Sequence, residues 1–231
     1  MKKTLNPRLT SAAEFVRQGA RFADVGTDHA YLPIFLLSEG RVSYALCTDI
    51  NEGPLASAVA NAKDAGLYEK MDFCLTDGAA ALSGYGITDM AICGMGGDLI
   101  ASIVKAADYL CDENINLILQ PMTKQETLRE NLYRMGYEIT AESYSCDAGK
   151  YYVCMQVKYS GTSRLLSDKE REICPDNAKI VNKDLQITYL KKKITTYKKI
   201  IGGKKSGGNE NPRELESVRM IEEYLKAGGE K

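Results

Sequence analysis

The sequence predicts an α/β protein with a mostly parallel, doubly wound sheet that ends in an antiparallel hairpin. Three observations predict this class. Short apolar runs alternate with segments of helical length as far as residue 135. Two extended segments then follow each other without a helix between them. The end of the chain is polar and carries two apolar stripes at helical spacing, which indicates an antiparallel, coiled-coil-like helical hairpin.

Five apolar runs predict the parallel strands, and helix-length segments separate them. The runs lie at residues 22–25, 44–47, 71–75, 90–93 and 117–119. Gly53 and Pro54 predict the first turn of a helix, because proline is tolerated where the backbone needs no donor. Gly66 and Gly136 stand where helices need a left-handed final residue.

The last third of the chain predicts the hairpin and the helical segment. A helix over residues 124–135 precedes two strands, at 137–145 and 151–159, which residues 147–150 join. From residue 175 onward the pattern is helical, with a glycine-rich connector at residues 202–209. Two stripes define the helices: Leu185, Leu190, Ile194, Tyr197 and Ile201 in one, and Leu215, Val218, Ile221 and Leu225 in the other.

Length and composition limit the class of protein. With 231 residues, 44% of them hydrophobic, the chain can bury one core and carry an appendage. We expect a sheet domain over residues 1–160 and a basic helical hairpin over residues 161–231. No run of about 18 apolar residues occurs, and the chain does not start like a signal peptide, so we expect a cytoplasmic protein without a membrane partner.

The cysteines predict neither a disulfide framework nor a metal site. There are seven, an odd number, and no two of them form a C-x-x-C pair. Cys47, Cys74 and Cys93 lie inside apolar runs, where a thiol behaves as a small hydrophobe. We therefore expect reduced, mostly buried thiols and no bound metal.

Charge is distributed unevenly along the chain. Residues 1–160 carry 14 Lys and Arg against 20 Asp and Glu, whereas residues 161–231 carry 16 against 11. Residues 177–205 contain nine lysines and a single acid, Asp184. Such a density predicts either a surface that contacts nucleic-acid phosphates or an ordinary solvated helix face.

Polar residues follow four successive predicted strands. Asp24 and Gly26 come at the end of the first, Asp49 closes the second, and Asp77 with Gly78 closes the third. A glycine-rich turn, Gly94-Met95-Gly96-Gly97, follows the fourth. In doubly wound sheets the ligand lies beyond the carboxyl ends of the strands, so these residues predict a binding site.

The acidic residues indicate a nucleoside. Asp49 lies 23 positions after Gly26, close to the spacing at which an acid reaches ribose hydroxyls. A carboxylate there favours an unphosphorylated ribose, because it would repel a phosphate. Asp77 can accept a hydrogen bond from the amino group of adenine or can simply form a turn. Gly26 allows either close approach of a ligand or a strained turn.

The first loop disfavours a dinucleotide. Asp28 and Ala30 occupy places where glycines would cradle a pyrophosphate, and the Asp28 carboxylate would repel one. A nucleoside that carries an amino acid group, such as S-adenosylmethionine, fits better. His29, the only histidine, is predicted either to pack locally or to act in catalysis. Tyr31 and Pro33 are predicted to shape the mouth of the pocket.

Four segments together resemble the TrmK family of bacterial tRNA (adenine-N1)-methyltransferases, which modify the adenine at tRNA position 22. They are ADVGTDHAYLPI, TDINEGPLASAVANAKDAGL, CGMGG and LILQP, and the match spans most of residues 5–160, including NPRL. The chain lacks the additional glycines and the Asn-Pro-Pro-Tyr segment of generic methyltransferases. The resemblance implies a Rossmann-like, class I fold that binds S-adenosyl-L-methionine. The cofactor residues that it implies are Asp24, Gly26, Asp28, His29, Asp49, Ile50, Asp77, Gly78, Gly94 and Gly96.

The chemistry of the implied reaction requires alignment more than proton transfer. N1 of adenine has an in-plane lone pair, so it can attack a methyl group without first losing a proton. Asp28 is expected to stabilise the positive charge that moves onto the ring, and Met95 and Gln120 to lie beside the reacting atoms. The residues expected to bind tRNA or its adenine are Arg8, Tyr31, Gly97, Pro121, Lys191, Lys192, Lys193 and Lys198.

Other functions stay open at this point. The acceptor could be another RNA, DNA or a small molecule, because the cofactor residues do not define it. The sheet could also be a scaffold for a non-catalytic RNA-binding protein. A nicotinamide dehydrogenase is disfavoured by Asp28. The sequence does not define an oligomeric state, and a monomer is compatible with it.

Overall fold

A computed structural model of the chain describes residues 4–205 and 212–228. Its single sheet has eight strands in the order β3-β2-β1-β4-β5-β7-β6-β8. The first five strands are parallel, β7 is antiparallel to β5 and β6, and β8 is parallel to β6. The strands are β1 (Ala20–Val25), β2 (Val42–Asp49), β3 (Met71–Leu75), β4 (Asp89–Gly96), β5 (Asn116–Thr123), β6 (Tyr137–Asp147), β7 (Lys150–Tyr159) and β8 (Lys179–Ile180).

Helices cover both faces of the sheet. One apolar cluster joins the sheet to α1, α2 and α3, and a second joins it to α4, α5, α7 and α8. Alternate residues of β1 contribute to opposite clusters, as in any strand covered on both faces. The helices are α1 (Pro7–Phe15), α2 (Tyr31–Ser38), α3 (Glu52–Asp64), α4 (Gly97–Lys105), α5 (Gln125–Arg134), α6 (Asp168–Glu172), α7 (Lys183–Lys205) and α8 (Pro212–Lys226).

The predicted doubly wound sheet and its hairpin are confirmed. Each of the five apolar runs lies within one of the strands β1 to β5, and the glycines at 66 and 136 have φ angles of +67° and +83°. The hairpin strands extend further than expected, so that only Ala148 and Gly149 form the turn, both with positive φ.

The fourth and fifth strands continue beyond their apolar runs. Gly94, with φ +80°, forms a bulge where the register between β4 and β5 shifts. Pairing then resumes between Met95 and Pro121 and between Gly96 and Thr123. The predicted glycine-rich turn therefore lies mostly inside β4, and Gln120 lies inside β5.

The C-terminal helices pack antiparallel, as predicted. The Nζ atom of Lys183 lies 2.7 Å from the hydroxyl of Tyr224, and the Nζ atom of Lys198 lies 2.7 Å from Glu222. The expected helix from residue 175 is wrong in its first part, because β8 precedes α7 there. The expected connector is also wrong at Gly202 and Gly203: α7 continues to Lys205. Residues 206–209 of that connector lie outside the described residues.

The C-terminal helices share the core of the sheet domain. Leu190 and Ile221 belong to the same buried cluster as Leu117 and Leu119 of β5. The predicted division at residue 160 therefore separates two segments of sequence but not two hydrophobic cores. No helix in the part of the chain described by the structure has the length and apolar character required to cross a membrane.

All seven cysteines are free thiols. Cys47 is buried as expected, whereas Cys74 and Cys93 are half-buried. Within residues 4–205 and 212–228, no three His, Cys, Asp or Glu side chains form a group that could hold a metal ion.

Candidate active site

A cavity of about 600 Å³ lies at the carboxyl ends of β1 to β4, a size typical of small-molecule sites. It is the place where the order of the parallel strands reverses between β1 and β4, which is where doubly wound sheets bind ligands. The residues that line it are Asn6, Arg8, Leu9, Asp24, Val25, Gly26, Thr27, Asp28, His29, Tyr31, Leu32, Asp49, Ile50, Asn51, Thr76, Asp77, Gly78, Cys93, Gly94, Met95, Leu99 and Ile103.

Asp24 is the buried acid of the cavity, with only 6% of the residue exposed. Its Oδ2 atom accepts a hydrogen bond from the hydroxyl of Thr27 at 2.8 Å. Burial raises the pKa of the Asp24 carboxyl to about 6, although the bond from Thr27 and the positive charge of Arg8 oppose the shift. Burial removes the water that would otherwise stabilise the ionised carboxylate, and a ligand ammonium group at this position would stabilise it instead.

The loop after β1 is held in an unusual backbone conformation. Gly26, Asp28 and Ala30 have φ angles of +75°, +53° and +55°. Left-handed geometry at residues other than glycine costs energy, so contacts elsewhere must hold the loop. The amides of Gly26 and Thr27 donate to the carbonyl of Thr48 at 2.8 and 2.9 Å. The side chain of Asn61 in α3 also donates to the carbonyl of His29 at 3.0 Å.

Asp28, His29 and Tyr31 form the rim of the cavity. The Asp28 side chain is 71% exposed, and its Oδ1 atom lies 3.6 Å from Nε2 of His29. The rings of His29 and Tyr31 stack with their centroids 5.2 Å apart. Because water screens an exposed carboxylate, Asp28 is poorly placed for the predicted stabilisation of charge at the reacting atoms.

The ends of β2 and β3 bring two further acids to the cavity. Asp49 is half-buried, and its Oδ1 atom accepts from the amide of Asn51 at 2.9 Å. Ile50 is 61% exposed at the same edge. Asp77 is exposed, and Gly78 follows it with φ +70°. The structure thus brings together the three strand-end aspartates that the sequence singled out.

One glycine lets the walls of the cavity approach each other. A Cβ atom on Gly26 would lie 2.2 Å from the terminal methyl carbon of Met95, so the missing side chain allows Met95 to lie against this backbone. A Cβ atom on Gly94 would lie 3.5 Å from Nη1 of Arg8, which is an ordinary contact distance. The positive φ of Gly94, +80°, explains the glycine at that position.

Gln120 does not line the cavity, contrary to the expectation that its amide faces a base. Only 1% of the residue is exposed. Its Oε1 atom accepts from Nη1 of Arg8 at 2.7 Å and from the amide of Gly94 at 3.1 Å. Its Nε2 atom donates to the carbonyl of Pro121 at 3.1 Å. With its oxygen and its amino group both engaged, Gln120 holds other residues in place.

Three further predicted contacts also lie outside the cavity lining: Gly96, Gly97 and Pro121. Gly97 is buried at the start of α4, where a Cβ atom would come within 2.4 Å of the carbonyl oxygen of Lys124. The close approach of α4 to the backbone of Lys124 therefore explains why residue 97 is a glycine. The substrate contact predicted for Gly97 requires an opening that the structure does not provide.

The tail lysines differ in their surroundings. Lys193 is almost buried, with 10% of its side chain exposed and its Nζ atom 2.9 Å from the Glu172 carboxylate. It is therefore unsuited to the phosphate contact that the sequence predicted. Lys198 is exposed although it pairs with Glu222, and the ammonium of Lys192 lies 5.0 Å from the ring centre of Tyr151. Lys191 is exposed.

Several cavity residues were missed by sequence reasoning. Thr27 lies inside the motif after the first strand, and its hydroxyl contacts Asp24. Leu99 and Ile103 line the cavity from α4, where their spacing of four places them on one helix face. That spacing was a usable signal. Asn61 does not line the cavity but holds its loop by donating to the carbonyl of His29. The sequence carries no signal for this contact, because Asn61 lies in a helix 32 positions further along the chain.

The donor set fits a nucleoside that carries an α-amino acid. Acids are available for ribose hydroxyls, for an adenine amino group and for an ammonium group. Arg8 supplies a cation for a carboxylate. In the loop after β1, Asp28 and Ala30 are left-handed although neither is a glycine, and they stand where a dinucleotide would need bare backbone.

Comparison with known proteins agrees with this chemistry. The family model described as a methyltransferase domain matches residues 5–155. The chain is 34% identical over 148 residues to the tRNA (adenine(22)-N(1))-methyltransferase of Bacillus subtilis (strain 168). That match covers 64% of this chain and 62% of the relative, which is slightly less than two thirds of its length.

Solved structures match over nearly the whole chain. Streptococcus pneumoniae Sp1610 in complex with S-adenosyl-L-methionine is 32% identical, with a TM-score of 0.81, and the match covers 96% of this chain and 100% of that one. TrmK of M. capricolum in complex with the cofactor product S-adenosyl-homocysteine is 28% identical, with a TM-score of 0.76 and coverage of 97% and 99%.

Proposed function

Because the chain belongs to the TrmK family of tRNA (adenine(22)-N1)-methyltransferases, we propose that it methylates N1 of adenine 22 in tRNA with S-adenosyl-L-methionine. One observation carries the proposal: aspartates from three successive strand ends line a single cavity beside Gly94 and Met95 of β4. A scaffold that only bound RNA through its tail would have no need for that arrangement.

The cofactor, when bound, supplies an electrophilic methyl group. Asp49 would accept from the ribose hydroxyls, Asp77 from the adenine amino group, and Asp24 from the ammonium group. The part of β4 that lines the cavity, Gly94 and Met95, would then face the acceptor. These roles agree with the chemistry of each side chain and with its place in the cavity.

The residues of the cavity act through alignment and removal of water. N1 of adenine needs no base to become a nucleophile, and holding two reactants in attack geometry can supply roughly 7–11 kcal/mol. The adenine must leave its stack to expose N1, because N1 lies on the pairing edge. The stacked rings of His29 and Tyr31 at the rim offer an aromatic surface to an unstacked base.

Methyl transfer to unmodified tRNA tests the proposed function. With methyl-labelled cofactor, we expect one labelled nucleoside, N1-methyladenosine, at position 22. Replacing adenine 22 by 1-deazaadenine removes only the nucleophilic nitrogen and should abolish transfer while preserving tRNA binding. Label at another position, or equal transfer to the 1-deaza tRNA, would show that the acceptor is different.

We further propose that exposed lysines of α7 hold tRNA phosphates. Lys191 and Lys199 are both exposed on this helix. Exchanging both for glutamate should weaken tRNA binding about tenfold and lower the salt slope by roughly 1–2. Binding isotherms at several salt concentrations measure both quantities. Affinity for S-adenosyl-homocysteine should not change.

A matched control carries the same change of charge elsewhere. Lys63 and Lys70 are exposed next to β3, so the Lys63→Glu, Lys70→Glu variant alters net charge equally. Equal loss of tRNA affinity in both variants would assign the effect to overall charge and contradict a site on α7. Deleting residues 175–231 is a poor alternative, because Leu190 and Ile221 belong to the shared core.

A further inference from the structure

The tip of the β6–β7 hairpin lies at the same edge of the sheet as the cavity. β7 is antiparallel to β5, with Asn116 opposite Lys158 and Leu119 opposite Met155, so β7 begins at the edge where β5 ends. Only β5 stands between β7 and β4, the strand whose carboxyl end lines the cavity. Two strand spacings put the start of β7 about 10 Å from the end of β4. A polymer whose target nucleotide has entered the cavity can therefore reach the tip.

Lys192 of α7 is held against this tip. Its Nζ atom donates to the carbonyl of Gly149 at 3.3 Å and lies 5.0 Å from the ring centre of Tyr151. The Tyr151 ring is half-buried and packs against the apolar cluster that joins the sheet to α7. A cation and an aromatic ring are thus held together at the edge that carries the cavity.

Exposed lysines lie along the edge that runs from the cavity to α7. Lys124 follows β5, and its ammonium pairs with the Asp98 carboxylate. Lys150 begins β7 opposite Asp147 in the register of the hairpin. Lys192 contacts a carbonyl and a ring, and no carboxylate pairs with it in the part of the chain that the structure describes. Of the three, its ammonium is the best placed to attract a phosphate.

A surface of this kind fits single-stranded nucleic acid. Such strands bind where cations hold the phosphates and aromatic side chains pack on the bases. Met122, near the end of β5, adds an apolar side chain that is 41% exposed. A target adenine must leave its stack to enter the cavity, so its neighbours lose a stacking partner just outside. An aromatic ring at the same edge can replace that partner.

On the basis of the proposed function, we propose that the hairpin tip binds a tRNA nucleotide close to the target adenine. The ring of Tyr151 packs against its base, and Lys192 holds its phosphate. This contact is distinct from that of Lys191 and Lys199, because it includes a base. A protein partner is the weaker alternative, because a stable protein interface needs far more surface than a two-residue turn and its flanking side chains offer.

Binding of unmodified tRNA to two substituted proteins tests the assignment. Tyr151→Leu keeps an apolar side chain but removes the aromatic plane, so tRNA affinity should fall about 5- to 100-fold. Tyr68→Leu is the matched control, because Tyr68 is 40% exposed and the Nζ atom of Lys63 lies 5.1 Å from its ring centre. Tyr68 precedes β3 at the opposite edge of the sheet, and its variant should bind tRNA as the unsubstituted protein does.

Salt dependence and cofactor binding separate a direct contact from a structural effect. Tyr151→Leu should leave the salt slope of tRNA binding unchanged, whereas Lys192→Gln should lower it by roughly 1. Tyr151→Phe should keep nearly all of the affinity, because it keeps the ring. All of these variants should bind S-adenosyl-homocysteine with unchanged affinity and should methylate saturating tRNA at the unsubstituted rate.

Photocrosslinking locates the contact on the tRNA. Tyr151 is replaced by p-benzoylphenylalanine, and the protein is irradiated with tRNA and S-adenosyl-homocysteine. Crosslinks should lie within roughly three nucleotides of the methylated adenine, since about 10 Å corresponds to about three steps of 3.4 Å along one strand. The same photoreactive residue in place of Tyr68 should give no crosslink.

Three results would overturn the assignment: normal tRNA affinity in Tyr151→Leu, an equal loss in Tyr68→Leu, or crosslinks remote from the methylated adenine. If the unsubstituted protein neither bound nor methylated tRNA, the proposed function would fail, and this inference with it. That result is distinct from normal methylation of a tRNA that does not contact the hairpin tip.

Discussion

Asp24→Asn should raise the stability of the ligand-free protein at pH 8 and weaken the binding of S-adenosyl-L-methionine by at least about 100-fold. The pKa of this buried carboxyl is raised from 3.8 to about 6, so ionising it in the folded state is unfavourable. A difference of about two pH units corresponds to about 3 kcal/mol in the free energy of unfolding. Asparagine keeps an oxygen that can accept from Thr27, so the substitution removes the charge and little else.

The difference in stability between Asp24→Asn and the unsubstituted protein should increase with pH. Below about pH 4 Asp24 is protonated in both the folded and the unfolded chain, so the substitution should have little effect. Between about pH 4 and 6 the unfolded chain releases the proton first, and the stability of the unsubstituted protein falls as pH rises. Above pH 6 the full advantage of the variant should be present. Thermal denaturation at pH 4, 6 and 8 measures it.

Binding should change in the opposite direction. Loss of the buried Asp24 carboxylate removes the partner of the ammonium group, and we expect at least about 100-fold weaker affinity. In the unsubstituted protein, affinity should fall below about pH 6 as Asp24 takes up its proton. Asp64→Asn, in an exposed position at the end of α3, is the control. A destabilised Asp24→Asn variant that bound the cofactor normally would contradict both halves of the prediction.

The Asp24 carboxylate is expected to lower the stability of the ligand-free protein and to strengthen ligand binding. The sequence predicts that Asp24 belongs to the site, but it does not predict that the side chain is buried. Strand ends are visible in sequence because an apolar run stops at a polar residue, which is how Asp24, Asp49 and Asp77 were found. The topology then brings such residues together. Which acid is desolvated depends on Thr27 and on the loop above it.

The environment of a residue was harder to predict where it depends on the exact end of a strand or on the rotation of a helix. Gln120 follows an apolar run and looked like a strand end, but β5 continues to Thr123 and directs Gln120 into the interior. Lys191 and Lys193 belong to the same run of three lysines, yet one is exposed and the other pairs with Glu172. The two lysines lie on different faces of α7. Which face of the helix turns toward the core depends on packing partners that are distant in sequence. The two-residue strand β8 leaves no periodic signal.

Arg129→Met should destabilise the protein by about 3–5 kcal/mol, as removal of one partner from a buried ion pair typically does. Arg129 in α5 and Glu142 in β6 are both completely buried, with N–O distances of 2.7 and 3.0 Å. Arg129 also donates to the carbonyl of Arg171 at 3.0 Å, and the hydroxyl of Tyr144 donates to Glu142. Without the guanidinium, Glu142 would remain as a buried charge with a neutral partner only.

The double variant Arg129→Met, Glu142→Leu separates charge from packing. Because it removes both buried charges, it should recover most of the stability lost in the single variant. Arg134→Met breaks an exposed pair with Glu130 and should have a much smaller effect. Urea denaturation measures all three. If the double variant were less stable than the single one, the loss would come from packing around α5 and β6, and the ion pair would not be the cause. Because neither Arg129 nor Glu142 lines the cavity, affinity for S-adenosyl-homocysteine should stay constant wherever the variants remain folded.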